Sequence, residues 1–533
     1  MPSADNPPAQ SRAVRIESSL LLVLALVWCV IWFVHAWHYW EDDAYIHLEF
    51  ARSLATGRGF AFNGRVVAGD TAPLWVFLLA AMHLLIPGWL VAGKFLTALG
   101  AALSLAGTYA FARRLASSML PYHRDAELFP AALVLLLVAN PYYCYWVFSG
   151  MESVAASGLA FFAVLAATRN RPSTATFLTA SLLAGFAPLL RPELFFLSAL
   201  LIFPLIGQWR RLPGKPAEPF KLTVFVSSLL LLTAPVLIWS FYSLHAFGHI
   251  LPNTNAAKRA APADSVLRHL LSIYSAGFPL ILCGLIAGIL YLLLRPAAVR
   301  HSLHRAVASA LRSPTESSTA ASLQPPSLPF AGWIFLLWPL IATLFYIANH
   351  TYVQTRYILL TAPGLTIVIV LLALAAVPRT GRILYLAALA AALAVSLLQT
   401  RPFIRNKELN CQISQDLALY IRDRLPPDAP VAAYSIGQIA FVSQHPILDI
   451  SGITRPDAIP YLIVPPQAMV QWARAQGAQY YLAGLQPEPG AVLVYTSNIR
   501  FAAWTFHTAL YSTSTPVNLW KLPAPELHSR NPR

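Results

Sequence analysis

The sequence predicts a polytopic α-helical membrane protein of about eleven spans, followed by a small α/β domain on the extracytoplasmic side. Its 533 residues are 57% hydrophobic and only 11% charged, a composition typical of membrane proteins rather than soluble ones. Several uninterrupted apolar runs reach the length of about 18 residues that a membrane-spanning helix needs. From residue 401 onward the composition becomes polar and mixed, which predicts the terminal domain.

The formal net charge of +15 does not indicate a nucleic-acid-binding protein. The 37 Lys and Arg residues are scattered as pairs between apolar runs, without a basic stripe or interleaved stacking aromatics. Such pairs are typical of cytoplasmic loops. The four cysteines show no close paired spacing, so they are interpreted as small hydrophobic residues rather than disulfides or zinc ligands.

The basic residues also orient the first span. Residues 1–17 form a polar cytoplasmic N-terminus, in which Arg12 and Arg15 precede a span predicted at 18–37. No small-residue cleavage site follows this span, so we expect it to be retained. The acidic loop that follows, residues 38–89, is therefore predicted to be extracytoplasmic.

The apolar segment 74–86 belongs to this loop rather than to the set of spans. As a helix it is about 20 Å long, against a hydrocarbon core of about 30 Å. We therefore predict an interfacial or re-entrant segment. Counting it as a span would place Arg113, Arg114 and Arg124 outside, against the positive-inside bias.

The remaining spans follow by alternation, and together they make residues 18–400 the transmembrane domain. They are predicted at about 90–112, 128–148, 151–168, 173–190, 193–207, 222–244, 269–294, 328–348, 357–377 and 383–399. The Ser/Thr/Pro-rich segment 295–327 is predicted to be a solvated linker. An odd number of crossings predicts an extracytoplasmic C-terminus.

Residues 401–533 are predicted to form the outer α/β domain. Periodicity and composition indicate helices at 412–424 and 468–476, and strands at 431–434, 447–450 and 491–495. A domain of this size on the outer face suits binding of an acceptor molecule.

Three consecutive acids, Glu41, Asp42 and Asp43, stand where a hydrophobic helix leaves the membrane. Unpaired carboxylates gain nothing structurally at such a position. The pattern therefore predicts a reacting end of the protein, with Asp42 or Asp43 as the general base. The structural alternative is a solvated turn in which one of them caps a short helix that ends at Gly57 and Gly59.

Cations and polar residues from later loops reach the same outer face in the predicted topology. The candidate ligands for a phosphate are Arg191, Lys258 and Arg356. The candidate substrate-binding residues are Glu152, Asp70, Asn253 and Glu193. Structural alternatives exist for several of them: a snorkelling Arg191 at a helix break, Lys258 as surface charge and Glu152 as a helix cap.

Metal dependence is left open by the sequence. Clustered carboxylates suit Mg²⁺ or Mn²⁺, and the first loop supplies them. His245 and His249 are four residues apart but lack a third partner, so no zinc site is predicted.

The first outer loop resembles that of bacterial GT-C glycosyltransferases. The matching stretches are Asp42-Asp43-Ala44-Tyr45-Ile46, Arg52 through Gly59, Phe62-Asn63 and Pro73-Leu74-Trp75, supported by Ser149 through Glu152, Leu190 through Glu193, Leu251 through Thr254 with Lys258, Arg356-Tyr357, and Gly437 with Asp449. The terminal arabinofuranosyltransferase type is most similar; the aminoarabinose lipid A transferase and protein O-mannosyltransferases are more distant. One departure is Ala68-Gly69-Asp70-Thr71, where the family usually has Glu-Gly-Tyr/Phe-Thr.

The resemblance implies an inverting glycosyltransferase of the bacterial inner membrane. Its donor would be a polyprenyl-phosphate sugar, and its acceptor a hydroxyl of a cell-envelope glycan, lipid or protein on the outer face. The resemblance also implies a first-loop aspartate as the base and favours Asp43 over Asp42.

Two other classes of protein remain open. One is a transporter or flippase of lipid-linked sugars, which would need charges midway along its spans. The other is a glycan polymerase or ligase that uses a polyprenyl diphosphate donor.

Overall fold

The computed structural model describes residues 9–120, 125–213, 218–260, 266–268, 270–271, 328–351, 353–376, 379–499 and 517–523. Within these residues, five helices are long and apolar enough to cross a membrane: Ala13–His35, Trp89–Met119, Leu194–Arg211, Pro219–Phe247 and Phe330–Ala348. The predicted mostly helical, membrane-spanning architecture is confirmed at this level. The total of about eleven spans stays a prediction, because most of the span at 269–294 lies outside the described residues.

Shorter apolar helices lie between these spans, at Pro73–Leu85, Ser153–Ala167 and Thr174–Leu190, and after the last of them, at Ala362–Ala376. The first of them has 13 residues, as expected for the segment predicted to be too short to cross. It ends just before Gly88, whose φ of 97° turns the chain into the next helix. Its interfacial or re-entrant position stays a prediction.

The span predicted at 128–148 is not one straight helix. It consists of Asp125–Ala139 and Pro141–Phe148, which meet at 71°. Asn140 causes the break, because its side chain caps the second helix by accepting hydrogen bonds from two backbone amides. Pro141 has no amide hydrogen and suits the first position of a helix but not its interior.

A single helix of 46 residues, Arg379–Arg424, takes the place of the predicted span 383–399 and the predicted helix 412–424. At 1.5 Å per residue it is about 69 Å long, more than twice the hydrocarbon core of about 30 Å. No break occurs at residue 401, where the outer domain was predicted to begin. The helix therefore connects the apolar bundle rigidly to the C-terminal region.

The C-terminal region contains a five-stranded sheet. In spatial order its strands are Ile447–Asp449, Val431–Ala433, Tyr480–Ala483, Asn518–Lys521 and Val492–Thr496. The first three strands run parallel to one another. The fourth strand pairs antiparallel with the third and with the fifth. Helices Gly437–Ser443 and Pro466–Ala475 lie between the strands in sequence. The strands near 431, 447 and 492 agree with the predicted ones, whereas those at 480 and 518 were not predicted.

The first outer loop opens with the helix Asp42–Ala55, called the loop helix below. It ends where predicted, at Gly57, whose φ is 74°. Its N-cap is Glu41, although the sequence placed Asp42 or Asp43 at that position. Asp42 and Asp43 instead form the first turn of the helix, so their side chains point in different directions around its axis.

The first outer loop is fastened to the C-terminal region by side chains. Asn63 donates to the carbonyl oxygen of His445 at 2.9 Å and accepts from the amide of Ile447 at 2.9 Å. Arg52 donates to the carbonyl oxygen of Phe441 at 3.3 Å, and its guanidinium lies 4.6 Å from the centre of the Phe441 ring. The loop helix is therefore held from both the bundle and the sheet.

Close helix packing positions Glu152, which directly precedes the helix Ser153–Ala167. That helix contacts Trp89–Met119 through Gly158, where an added Cβ would lie 2.6 Å from the backbone nitrogen of Ser104. Small residues allow such close backbone approach in membrane bundles. A larger side chain at this position would move Glu152 away from the loop helix.

Candidate active site

The three consecutive acids of the first loop contact three different parts of the protein. Glu41 accepts hydrogen bonds from two tyrosine hydroxyls, that of Tyr39 at 2.7 Å and that of Tyr145. It therefore joins the start of the loop helix to the broken span. Its carboxylate is already used within the protein.

Asp42 joins the loop helix to the helix Gly437–Ser443. Its carboxylate accepts hydrogen bonds from the backbone amides of Gly437, at 3.1 Å, and Gln438, at 2.9 Å. These amides lie at a helix N-terminus, where negative charge is favoured. The approach is close, because a Cβ added at Gly437 would lie 1.9 Å from the carbonyl oxygen of Asp42. Asp42 therefore has a structural role that uses both its oxygens.

Asp43 pairs with a buried arginine. Its Oδ2 lies 2.5 Å from Nη2 of Arg356, and its side chain remains 30% exposed. The Nε and Nη1 atoms of Arg356 are buried and have no hydrogen-bond partner among the described residues. Burying N–H groups without an acceptor is costly. This arginine therefore marks a position where an external anion would be stabilised.

Lys258 and Tyr357 lie beside this arginine. The ammonium of Lys258 donates to the phenolic oxygen of Tyr357. The Tyr357 ring also packs against the guanidinium groups of Arg191, at 4.6 Å, and Arg356, at 5.5 Å. The three predicted cations thus surround one aromatic ring. Tyr357 was not predicted as a site residue, although it directly follows Arg356.

A chain of buried ion pairs lies behind Asp43. Nδ1 of His47 is 2.5 Å from Oδ2 of Asp70, and Nε2 of His47 is 3.1 Å from Oε2 of Glu152. Glu152 also accepts from Nη1 of Arg191 at 2.8 Å. Arg191 makes a bidentate pair with Glu193, with Nε at 3.0 Å and Nη2 at 2.6 Å. Both ring nitrogens of His47 face carboxylates, an arrangement that favours the doubly protonated, cationic ring.

The two candidate bases differ in pKa. Burial raises the pKa of Asp42 to about 7, against the opposing effect of its two amide donors. Burial also disfavours ionisation of Asp43, but Arg356, Lys258 and His47 outweigh it and lower the pKa of Asp43 below its ordinary value. At neutral pH Asp43 is therefore fully ionised, whereas Asp42 is partly protonated.

The helix Asn253–Ala260 adds polar groups next to Lys258. Thr254 lies four residues before Lys258 and so shares its helix face. Oγ1 of Thr254 and Nδ2 of Asn253 are buried without a hydrogen-bond partner in the part of the chain that the structure describes. The amide of Asn253 donates to the carbonyl oxygen of Ala68 at 2.9 Å, which ties this helix to the first outer loop.

The structure thus brings the predicted site residues together in two groups. Asp43, Arg356 and Lys258 form a group with free hydrogen-bonding capacity, whereas Asp70, Glu152, Arg191 and Glu193 satisfy one another and His47 in buried ion pairs. Their roles in binding substrates stay predictions. His47 was missed because a lone histidine has no diagnostic spacing; its position four residues after Asp43 was the only signal.

The sequence left open whether the carboxylates of this site bind a divalent cation. Among the described residues, no group of three or more His, Cys, Asp or Glu side chains is arranged to hold a metal ion. Asp42 is engaged by amides and Asp43 by a guanidinium, so neither fits Mg²⁺ or Mn²⁺ without exchanging its partner. Dependence on Mg²⁺ or Mn²⁺, which the sequence left open, is tested by measuring activity with and without a chelator.

Comparison with known proteins identifies the fold. The crystal structure of ArnT from Cupriavidus metallidurans bound to undecaprenyl phosphate is similar over 94% of this chain and 97% of that chain, with a TM-score of 0.50 and 14% sequence identity. The apo structure of the same protein covers 87% of this chain and 91% of its own, at 16% identity and a TM-score of 0.48. ArnT is a GT-C glycosyltransferase. The chain is therefore a multi-pass membrane protein with a GT-C-like fold.

Sequence comparison is less informative about activity. Residues 402–522 match a family model described as "Domain of unknown function (DUF8728)", which includes the end of the long helix and the sheet. No curated protein matches the chain. The fold is similar to that of ArnT, and the resemblance to the terminal arabinofuranosyltransferase type stays a prediction.

Proposed function

We propose that the chain is a membrane glycosyltransferase that moves a sugar from a polyprenyl phosphate to a hydroxyl of an envelope glycan, lipid or protein. The observation that carries this proposal is the guanidinium of Arg356. One of its nitrogens pairs with Asp43 at 2.5 Å, and the other two are buried and have no partner among the described residues. The Arg356 side chain could therefore contact the base, Asp43, and a bound phosphate at the same time.

The donor phosphate would be bound by Arg356 and Lys258. A phosphate oxygen at Nε and Nη1 of Arg356 would satisfy both buried donors in a bidentate arrangement, which guanidinium groups favour. Lys258, held through the Tyr357 hydroxyl, adds a second positive charge. Arg191 is a weaker candidate for this role than the sequence predicted, because Glu152 and Glu193 already neutralise it. We assign it to positioning Tyr357 and Glu152.

The charges of Asp43, Arg356 and Lys258 suggest how the reaction proceeds. Asp43 accepts the proton of the acceptor hydroxyl, and the hydroxyl oxygen forms a bond to the anomeric carbon of the sugar. The bond between that carbon and the phosphate oxygen breaks, and its electron pair leaves with the phosphate. Arg356 and Lys258 stabilise the negative charge on the departing phosphate. Attack opposite to the leaving group inverts the anomeric configuration.

The GT-C-like fold supports the choice of donor. ArnT, whose fold this chain shares, was crystallised with undecaprenyl phosphate, and a lipid tail lying in the membrane would hold the sugar close to the loop helix. We place the reaction on the outer face of the bacterial inner membrane, on the basis of the charge distribution between the spans. This sidedness belongs to the proposal.

Mass spectrometry of a deletion strain tests the proposal. The strain should accumulate a polyprenyl-phosphate sugar and lack that sugar on one envelope component, and the wild-type gene should reverse both changes. A gene carrying Asp43→Asn should reverse neither, although immunoblots of the membrane fraction show the variant at normal abundance. Full restoration by this variant, or no change in lipid-linked sugars on deletion, would contradict the proposal.

A further inference from the structure

A cavity of about 300 Å³ lies between the first outer loop, the start of the span Trp89–Met119 and the long helix Arg379–Arg424. Its lining includes His38, which follows the first span, and Leu90, at the start of another. The cavity is therefore next to the ends of two candidate spans. The cavity's volume is at the lower end of the range of about 300–1,000 Å³ for ligand pockets, which suits a single sugar ring.

The cavity is separated from Asp43. Tyr45 lines it, and Tyr45 follows Asp43 by two residues, about 200° around the loop helix. Gln438 also lines it, and its backbone amide holds Asp42 rather than Asp43. A molecule in this cavity would therefore not contact the base or Arg356.

The charges around the cavity exclude an ionic ligand. No carboxylate lines it among the described residues, so a cation would find no partner. Lys94 also lines the cavity, and its Nζ donates to the carbonyl oxygens of Ala36 at 3.3 Å, Tyr39 at 2.5 Å and Phe148 at 2.6 Å. All three ammonium hydrogens are thereby used, which leaves none for a bound anion.

The uncharged lining combines aromatic rings with carboxamides. Trp37 contributes half-buried ring surface, and Gln412 and Gln415 contribute hydrogen-bonding amides. Trp40 is buried with the Lys94 amino group 4.7 Å from its ring centre, and Nε2 of Gln438 donates to Oε1 of Gln415 at 2.9 Å, so these two residues shape the cavity. A sugar ring has C–H groups that pack against aromatic faces and hydroxyl groups that form hydrogen bonds with amides. The lining therefore suits a sugar ring. Tryptophan at this level is also typical of the membrane interface.

From this lining and location we propose that the cavity binds the neutral sugar headgroup of a membrane glycolipid. Its lipid chains would leave the cavity past Leu90 and Val91, which are exposed at the start of the span. The headgroup would stack on Trp37 and form hydrogen bonds with Gln412 and Gln415. Such a glycolipid would be either the acceptor of the transfer reaction or a resident lipid of the membrane.

Cys411 lines the cavity and provides a direct measurement. A variant that retains Cys411 as its single cysteine, with Cys29, Cys144 and Cys283 changed to alanine, would be placed in phosphatidylcholine nanodiscs. Alkaline buffer is needed for labelling by a small maleimide, because burial raises the pKa of the Cys411 thiol. We expect monogalactosyl diacylglycerol in the nanodiscs to slow labelling severalfold, and phosphatidylglycerol at the same content to leave the rate unchanged.

Glutamine variants link the protection to the cavity. Gln415→Leu and the more exposed Gln412→Leu should each require about 3- to 10-fold more glycolipid for the same protection, since each removes one hydrogen bond. Gln471→Leu, at an exposed position on another helix, is the matched control. Equal protection by phosphatidylglycerol, no protection by the glycolipid, or unchanged protection in both cavity variants would overturn the proposal.

A transfer assay distinguishes the two sources and rests on the proposed function. If the glycolipid is the acceptor, Gln412→Leu should raise KM for the acceptor and leave kcat unchanged. If it is a resident lipid, transfer kinetics should not change, although protection of Cys411 is still weakened. Either result supports the sugar-binding cavity, and an enzyme without any transfer would contradict the proposed function alone.

Discussion

Asp43 and Arg356 lie 2.5 Å apart, and the arginine retains two buried N–H groups without a partner among the described residues. Only the third of the consecutive acids has such a neighbour, since Glu41 bonds to tyrosine hydroxyls and Asp42 to backbone amides. The contacts therefore favour Asp43 as the proposed base and give Asp42 a structural role. This distinction leads to specific expectations.

Arg356→Gln should weaken binding of undecaprenyl phosphate about 10- to 100-fold, because hydrogen bonds to charged groups contribute about 1.5–3 kcal/mol. Titration of the lipid into protein in nanodiscs, followed by tryptophan fluorescence, measures the change. Arg422→Gln is the matched control, as Arg422 is an exposed arginine that pairs with its neighbour Asp423. Equal affinities for wild type and Arg356→Gln would rule out a phosphate site at this arginine.

The pH dependence of transfer should identify the base. Because Arg356 and other cations lower the pKa of Asp43, a reaction that uses Asp43 should keep its kcat/KM nearly constant from pH 7 down to pH 5. If Asp42 were the base, its pKa of about 7 would require kcat/KM to fall by about 50-fold between pH 7 and pH 5. A steep loss of rate over this interval would therefore contradict the assignment of Asp43.

Asp42→Ala should destabilise the protein by about 1–2 kcal/mol, the usual effect of losing a helix cap. Gly437→Ala should have a larger effect, since the new Cβ would lie 1.9 Å from the carbonyl oxygen of Asp42. Thermal unfolding in detergent measures both, with Asp423→Ala at an exposed position as the control. Unchanged unfolding midpoints for both variants would show that this contact does not hold the loop helix.

His47 should stabilise the fold in a pH-dependent way. Burial opposes its charge, but Asp70 and Glu152 raise the pKa of His47 to about 10. A pKa raised in the folded state contributes stability that is complete below about pH 6.5 and is lost as the pH rises towards 10. The difference in unfolding midpoint between wild type and His47→Gln should therefore be largest at pH 6 and shrink at pH 10. A constant difference would indicate a neutral histidine.

The membrane-spanning architecture could be predicted because apolar runs and basic pairs are visible in the local sequence. The bend at Asn140 and the unbroken helix Arg379–Arg424 could not. At the bend, the Asn140-Pro141 signal spans only two residues within a long apolar run. In the long helix, the change to a polar composition at residue 401 resembled a domain boundary. The strands at Tyr480 and Asn518 are four residues each, too short for alternation to be distinctive.

The candidate site was predictable in composition but not in pairing. Charge identified the acids and cations that converge, whereas the choice of partners depends on tertiary contacts between residues far apart in sequence. Asp42 binds amides almost 400 residues later, and Tyr357 gains its place from cations on other helices. The local sequence around these residues contains no pattern that predicts either contact.

The most direct measurement is the single-turnover rate of sugar transfer by Asp43→Asn and Asp42→Asn, each reconstituted as correctly inserted protein with a polyprenyl-phosphate sugar donor. Loss of a general base should lower the rate of Asp43→Asn by about 10²- to 10⁴-fold. Asp42→Asn keeps one amide-accepting oxygen and should stay within about tenfold of wild type. A rate for Asp43→Asn equal to that of wild type would contradict the assignment of Asp43 as the base.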